Sequence, residues 1–159
     1  LDLSDRPIAF THTACRAVYD HPRAKTDEQL RILAEQQGYI GIVAVPFFLK
    51  AADPGIPDVV DHIAHAAEIV GIENVGVGTD WGFWTTDWPA ELRPATMRAF
   101  RGAGGFRPED GLELGIGLGP FVEWGDRLHL TRGLVEGGFS DDEISGLLGD
   151  NWLRYLERF

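Results

Sequence analysis

Cysteine is almost absent: Cys15 stands alone in 159 residues, so no internal disulfide can form and folding needs no oxidising compartment. Positive charge is also scarce. Fourteen lysines and arginines face 25 aspartates and glutamates, a formal net charge of −11. Nucleic acid and anionic membrane surfaces both require basic patches, so this balance argues against either as a partner. No run of about 18 apolar residues occurs, which speaks against a transmembrane helix. The stretch Tyr155–Phe159 lacks the hydrophobic tail of a lipid-anchor signal, and Leu1–Arg6 has no signal-peptide pattern. That opening reads instead as a connection running into a strand. A chain starting on Leu1 is expected to be cut from a longer one, and a cytoplasmic setting is the expectation for it.

Hydrophobic residues make up 44% of the chain and charged residues 25%, a globular composition. Three apolar runs punctuate its first half. Pro7–Phe10 is short and turn-bounded, and ends on the polar Thr11-His12-Thr13; Tyr39–Val45 is continuous and stopped by Pro46; Asn74–Asp80 ends on an acid. Continuous apolar runs of this length suit strands covered on both faces. Between them lie two helical patterns. Thr26-Asp27-Glu28-Gln29 opens the first, with Leu30, Leu33 and Ala34 on one face and Gly38 at its end. Asp58 opens the second, whose Val59, Val60, Ile63, Ala66, Ala67 and Val70 recur at three- and four-residue steps up to Gly71. Phe47–Pro57 reads as a loop. Strands alternating with helices predict a parallel sheet with right-handed crossovers, an α/β fold.

The remaining residues change character. Four of the five tryptophans, Trp81, Trp84, Trp88 and Trp124, lie in a glycine- and proline-rich stretch over 81–124. It is expected to be a long loop over the active-site face, with a short helix over 92–101. Leu128, Leu130, Leu134 and Val135 suggest a helix closing at Gly137-Gly138; Ser140 to Glu143 forms a capping box, and Asn151 is placed as the cap of a last turn running to Phe159.

In a parallel barrel the carboxyl ends of the strands carry the chemistry. His12 and Asp80 fall at two such ends, and Arg23 on the loop after the first, marked by His21-Pro22. A strand-end histidine can ligate a metal, and an arginine can grip a carboxylate through two parallel hydrogen bonds. Taken singly, each has a plainer role: a satisfied histidine, a surface arginine, a loop-capping aspartate. His62 and His65 share a helix face but sit away from the strand ends, so they read as structural, as do His129 and His21, the latter bordering the site. Cys15 reads as a buried, inert thiol. Gly115-Ile116-Gly117-Leu118-Gly119 imitates a phosphate loop without the strand and helix that would make it one.

The phrases FTHTACRAVYDHPR, TDEQLRILAEQQGYIGIV, DVVDHIAHAAEIVGIENVGVGTD and DDEISGLLGDNWLRYLE resemble the membrane (renal) dipeptidase family of zinc-dependent amidohydrolases. The resemblance keeps the family's order over nearly the whole chain and is weakest from Phe83 to Leu118. It implies a (β/α)8 TIM-type barrel of which residues 1–159 are a single partial domain, the C-terminal part with about strands six to eight and the following helices. A whole barrel takes about 250 residues, so this chain holds less than half of one. It further implies two zinc ions (Zn2+), with His12 as a metal ligand, Arg23 binding the substrate's terminal carboxylate, and Asp80 handling the proton of the metal-bound water. The family's His-x-Asp, bridging glutamate and two further histidines are expected upstream of Leu1. Where the family often reads Asp-Phe-Asp-Gly, this chain has Asp80-Trp81-Gly82-Phe83, a difference that bears on substrate preference. The implied activity is hydrolysis of dipeptides by the full-length protein, the fragment alone being inactive; a homo-oligomer is compatible with it. The alternatives are another amide or ester hydrolase on the same scaffold, or a non-catalytic half barrel that needs a partner chain.

Overall fold

The computed structural model describes residues 4–80, 91, 93–102, 104–110 and 126–159. Its centre is a parallel sheet of three strands in the order β1 (Ala9–Thr13), β2 (Tyr39–Ile42), β3 (Val75–Val77). Ala9 pairs with Tyr39, and Ile40, Gly41 and Ile42 pair with Val75, Gly76 and Val77. The register shifts between Phe10 and Thr13, so β1 carries an irregularity just where its sequence turns polar. The second and third strands are shorter than the apolar runs that announced them. Single bonds continue the pairing past the ladder: Val43 N–H to Thr13 O at 2.8 Å, Gly78 N–H to Ile42 O at 2.9 Å, and Ala44 N–H to Thr79 O at 3.2 Å.

Helix α1 (Asp27–Glu35) connects β1 to β2, and α3 (Ile56–Val70) connects β2 to β3. The capping box read at Thr26 is formed, the Thr26 hydroxyl accepting from Gln29 N–H and the Gln29 side chain answering to Thr26 N–H. Both helices cover one face of the sheet. Leu30, Leu33, Ile63 and Ala66 meet Ile40, Ile42 and Val75 there, all fully buried. α3 begins at Ile56 and not at Asp58, because Pro57 suits the first turn, where its missing N–H costs nothing. Asp58 instead reaches back to accept the Gly55 N–H at 2.8 Å. The stretch expected to be loop also contains a one-turn helix, α2 (Pro46–Leu49): the proline that stops the strand starts this turn, which buries Phe48 and Leu49.

On the other face the sheet curls tightly. A side chain at Gly41 or Gly78 would run into the Thr11 carbonyl, so β1 and the end of β3 converge over β2 only because both positions are glycine.

Helices α4 (Arg93–Gly102), α5 (Arg127–Glu136), α6 (Asp141–Ser145) and α7 (Asn151–Leu156) complete the described residues, with one π turn over Gly146–Asp150. The Ser140 capping box is formed. On α5 only Leu130 and Leu134, one turn apart, are buried; Leu128 and Val135 are exposed, at 76% and 58%. Asn151 does not cap. It is the first residue of α7, buried, and its amide donates to Ile72 O at 2.8 Å and Val75 O at 2.6 Å, fastening α7 to the start of β3. Tyr155 donates to Pro7 O at 3.1 Å beside the start of β1. Of the stretch over 81–124, residue 91, α4 and residues 104–110 are described; its four tryptophans and the Gly115–Gly119 motif fall outside the described residues. Among the described residues no helix is long and apolar enough to cross a membrane.

Candidate active site

His12 is exposed near the carboxyl end of β1, next to the buried Thr13. Its Nδ1 lies 2.9 Å from Thr11 Oγ1, which leaves Nε2 as the nitrogen open to a ligand. Asp80 follows the last paired residue of the third strand and is exposed, with φ +53°, a left-handed conformation that aspartate tolerates better than most side chains. A Cβ on Gly78 would lie 3.3 Å from the His12 Cα, so the close approach of the two strands carries Asp80 to the edge where His12 stands. Arg23 belongs to the same edge, on the loop that leaves β1, where Thr13 Oγ1 donates to Arg23 O at 3.0 Å. Among the described residues no hydrogen bond or ion pair joins these three residues to one another.

The surroundings of Arg23 are more elaborate than the sequence suggests. Its guanidinium lies over two phenyl rings, 5.1 Å from the centroid of Phe48 and 5.2 Å from that of Phe106. Phe48 comes from α2 and Phe106 from the segment after α4. The Arg23 N–H donates to His21 Nδ1 at 3.2 Å, which assigns the proton of that ring to Nε2. His21 Nε2 donates in turn to Asp110 Oδ2 at 3.0 Å, and both side chains are buried. Asp110 also accepts from the Arg107 N–H at 2.6 Å and Arg107 Nε at 3.2 Å. Burial raises the Asp110 carboxyl, but the Arg107 amide, His21 and the Arg107 side chain outweigh it and hold the group below the usual carboxylate range. Burial lowers His21 more than Asp110 raises it, so the ring stays neutral and donates to a charged carboxylate. His21 therefore holds the arginine loop from beneath; nothing in its His-Pro-Arg phrase announced a partner 89 residues away.

The other histidine readings stand apart from this edge. His62 is fully buried, accepting from the Cys15 N–H at 3.0 Å and facing Leu49 O at 3.2 Å. His65 pairs with Asp27 at 2.9 Å. Burial, with the charge of Asp27 adding to it, pushes the Cys15 thiol up to about 12, so it is no thiolate near neutrality.

As a metal donor, His12 supplies an exposed ring nitrogen of the right kind. A catalytic zinc takes about three protein ligands and an open position. Among the described residues no group of three or more histidine, cysteine, aspartate or glutamate side chains could hold a metal ion. The residues present fit one corner of such a centre and do not complete it.

Parallel strands, crossover helices and polar residues at the strands' carboxyl ends make this a mixed α/β fold built on a parallel sheet. An amidohydrolase from Pseudomonas aeruginosa of known structure has the same fold, with a TM-score of 0.73 and 25% identity, over 98% of this chain and 46% of that one. The family model for membrane dipeptidase (peptidase family M19) matches residues 1–93, and the chain belongs to that family. Its relatives include dipeptidase verJ of Clonostachys rogersoniana, 33% identical over 81 residues, which are 51% of this chain and 21% of that protein. Dipeptidase aclJ of Aspergillus oryzae is 26% identical over 154 residues, 94% of this chain and 29% of that protein. The chain thus spans less than a third of either relative. The family is one of metallopeptidases, which implies a metal cofactor, and the matched residues include His12, Arg23 and Asp80.

Proposed function

We propose that this chain is the C-terminal part, about strands six to eight with their following helices, of a (β/α)8 barrel that hydrolyses the peptide bond of dipeptides at a two-zinc centre. The observation that carries this reading is the family match over an edge where Arg23 presents a guanidinium held by aromatic faces and paired with no carboxylate among the described residues.

Each residue has one task. Arg23 receives the substrate's terminal carboxylate through two parallel N–H donors, while the neighbouring rings of Phe48 and Phe106 hold the guanidinium from one side. This sets length specificity, because a further residue would displace the carboxylate. His12 contributes its Nε2 to one zinc. Zinc held there would lower the pKa of a water and polarise the scissile carbonyl. Asp80 would accept a proton from the attacking water and pass it to the leaving amine, which requires hydrogen-bonding distance to both. The stretch over 81–124 serves as a cover for the site, a role supported by the way Phe106 and Asp110 reach the arginine loop. The remaining ligands come from outside this chain, so the chain alone is inactive.

The test uses the full-length protein. Arg23→Ala is expected to raise KM for dipeptides by roughly 100-fold with a modest change in kcat, the signature of lost binding to a charged group. Asp80→Asn is expected to lower kcat by about 100-fold or more with KM little changed. Equal KM effects from both variants would refute the assignment. Faster turnover of N-acyl amino acids or lactones than of dipeptides would move the substrate class to another amide or ester.

A further inference from the structure

Residues 104–110 lie beyond the residues that the family model matches, yet three of them close on the arginine loop. Phe106 supplies one of the two adjacent rings, their centroids 5.9 Å apart, against which the Arg23 guanidinium lies. Asp110 accepts the Nε2–H of His21, whose other nitrogen accepts the Arg23 N–H. Arg107 fixes Asp110 through its amide and Nε, donates to Asp20 O at 3.1 Å, and lies over the Tyr19 ring at 5.1 Å. Gly104 and Gly105, with φ +77° and +78°, make the turn that admits this segment; a Cβ on Gly105 would lie 3.2 Å from the Arg23 Cγ. Arg101 of α4 donates to Arg107 O at 3.2 Å and Pro108 O at 3.3 Å, so the segment is held from behind as well.

We infer that residues 104–110 are a positioning element for Arg23, with Phe106 and Asp110 as the residues that fix where its guanidinium meets a carboxylate. The inference rests on Arg23 being the carboxylate clamp. An arginine on an exposed loop samples many rotamers, and each one frozen before binding is entropy not lost during binding. Phe48 and Phe106 restrict the guanidinium plane; the Thr13, His21 and Asp110 bonds restrict the backbone that carries it. Neither Phe106 nor Asp110 touches the reacting atoms. They act through Arg23 alone, so their removal should be felt only by substrates that Arg23 grips.

The experiment compares wild type, Phe106→Leu, Phe106→Tyr and Asp110→Asn in the full-length protein, each assayed on a dipeptide and on the same dipeptide with its terminal carboxylate converted to an amide. Expected for Phe106→Leu and Asp110→Asn is a three- to tenfold rise, roughly, in KM for the free acid, with kcat and the amide's kinetics unchanged. Phe106→Tyr, which keeps the ring, restores the wild-type KM. Equal losses on acid and amide, or no change on either, overturn the inference. Should the wild-type protein turn over no dipeptide, the dipeptidase reading falls, and a second readout still decides this one. The Arg23 Nε–H resonance in a 15N spectrum, displaced by the two ring currents in the wild type, is expected to move in Phe106→Leu and Asp110→Asn; a resonance unmoved in both would overturn the inference whatever the activity.

Discussion

Two histidines of this chain are fully buried, and they are buried for different ends. His62, in the crossover helix α3, binds only backbone: the Cys15 N–H on one side and the Leu49 carbonyl on the other. His21, on the arginine loop, binds backbone on one side and the charged Asp110 on the other. The first joins the loop after β1, the end of α2 and α3 into one core. The second joins the arginine loop to a segment nearly ninety residues on. A buried histidine satisfied by main chain is a brace for the fold, whereas one satisfied by a carboxylate holds a distant segment in place.

Removing each brace should separate the two regions. His62→Leu leaves a buried N–H and a buried carbonyl without partners, and the expected loss is about 3 kcal/mol of stability, read from the denaturant midpoint of the protein. A loss no greater than that of an average surface change would break the comparison from the fold side. His21→Leu is expected to cost less, about 2 kcal/mol, because Asp110 keeps Arg107. Its mark is local: faster amide hydrogen exchange in residues 104–110 with the exchange of α3 unchanged. Exchange that quickens equally in both regions would mean that one brace serves both.

Acid should weaken both regions, with a sign fixed by burial. His21 and His62 are each held below the ordinary histidine value of 6.5. The unfolded chain therefore binds more protons than the folded one as pH drops below that value, and stability falls with falling pH through the window beneath it. Asp110, held below its ordinary 3.8, contributes stability that is present above that value and is lost only as pH falls through its lower folded value. A denaturation series from pH 8 to 5 is expected to stay level down to the ordinary histidine value of 6.5 and to decline below it, with a slope reduced in His62→Leu; a profile flat throughout would contradict the neutral assignment of both rings. The smallest effect belongs to Gly105→Ala, about 1 kcal/mol, from a φ of +78° that alanine resists.

What could be read from the residues follows the range of the forces involved. The alternation of apolar runs and helical patterns, and the capping boxes at Thr26 and Ser140, depend on neighbours within a few positions, and these are formed as expected. Pro46 was legible as a stop but not as the start of α2, since the same ring serves both purposes. Asn151 looked like a cap because capping is the commonest short-range task for its amide, yet its partners are Ile72 and Val75. Leu128 and Val135 fit a helical period but fall off the stripe that Leu130 and Leu134 bury. At the candidate site, His12, Arg23 and Asp80 were singled out through a resemblance that rests on local phrases. Phe48, Phe106 and Asp110 were not, because no local pattern reports a ring or carboxylate that arrives from another element.

The fastening of α7 to the sheet sets an order for the chain's making. The Asn151 amide reaches carbonyls 79 and 76 residues earlier, and the Tyr155 hydroxyl reaches one 148 residues earlier. On a ribosome, the amino-terminal edge of the sheet therefore waits, with its carbonyls served by water, until α7 has left the exit tunnel. Contacts so far apart in sequence are slow to close, and an apolar sheet edge that waits is exposed to other chains meanwhile. Loss of α7 would take only a short helix from the described elements, yet it would leave the Ile72, Val75 and Pro7 carbonyls at that end of the sheet without these donors.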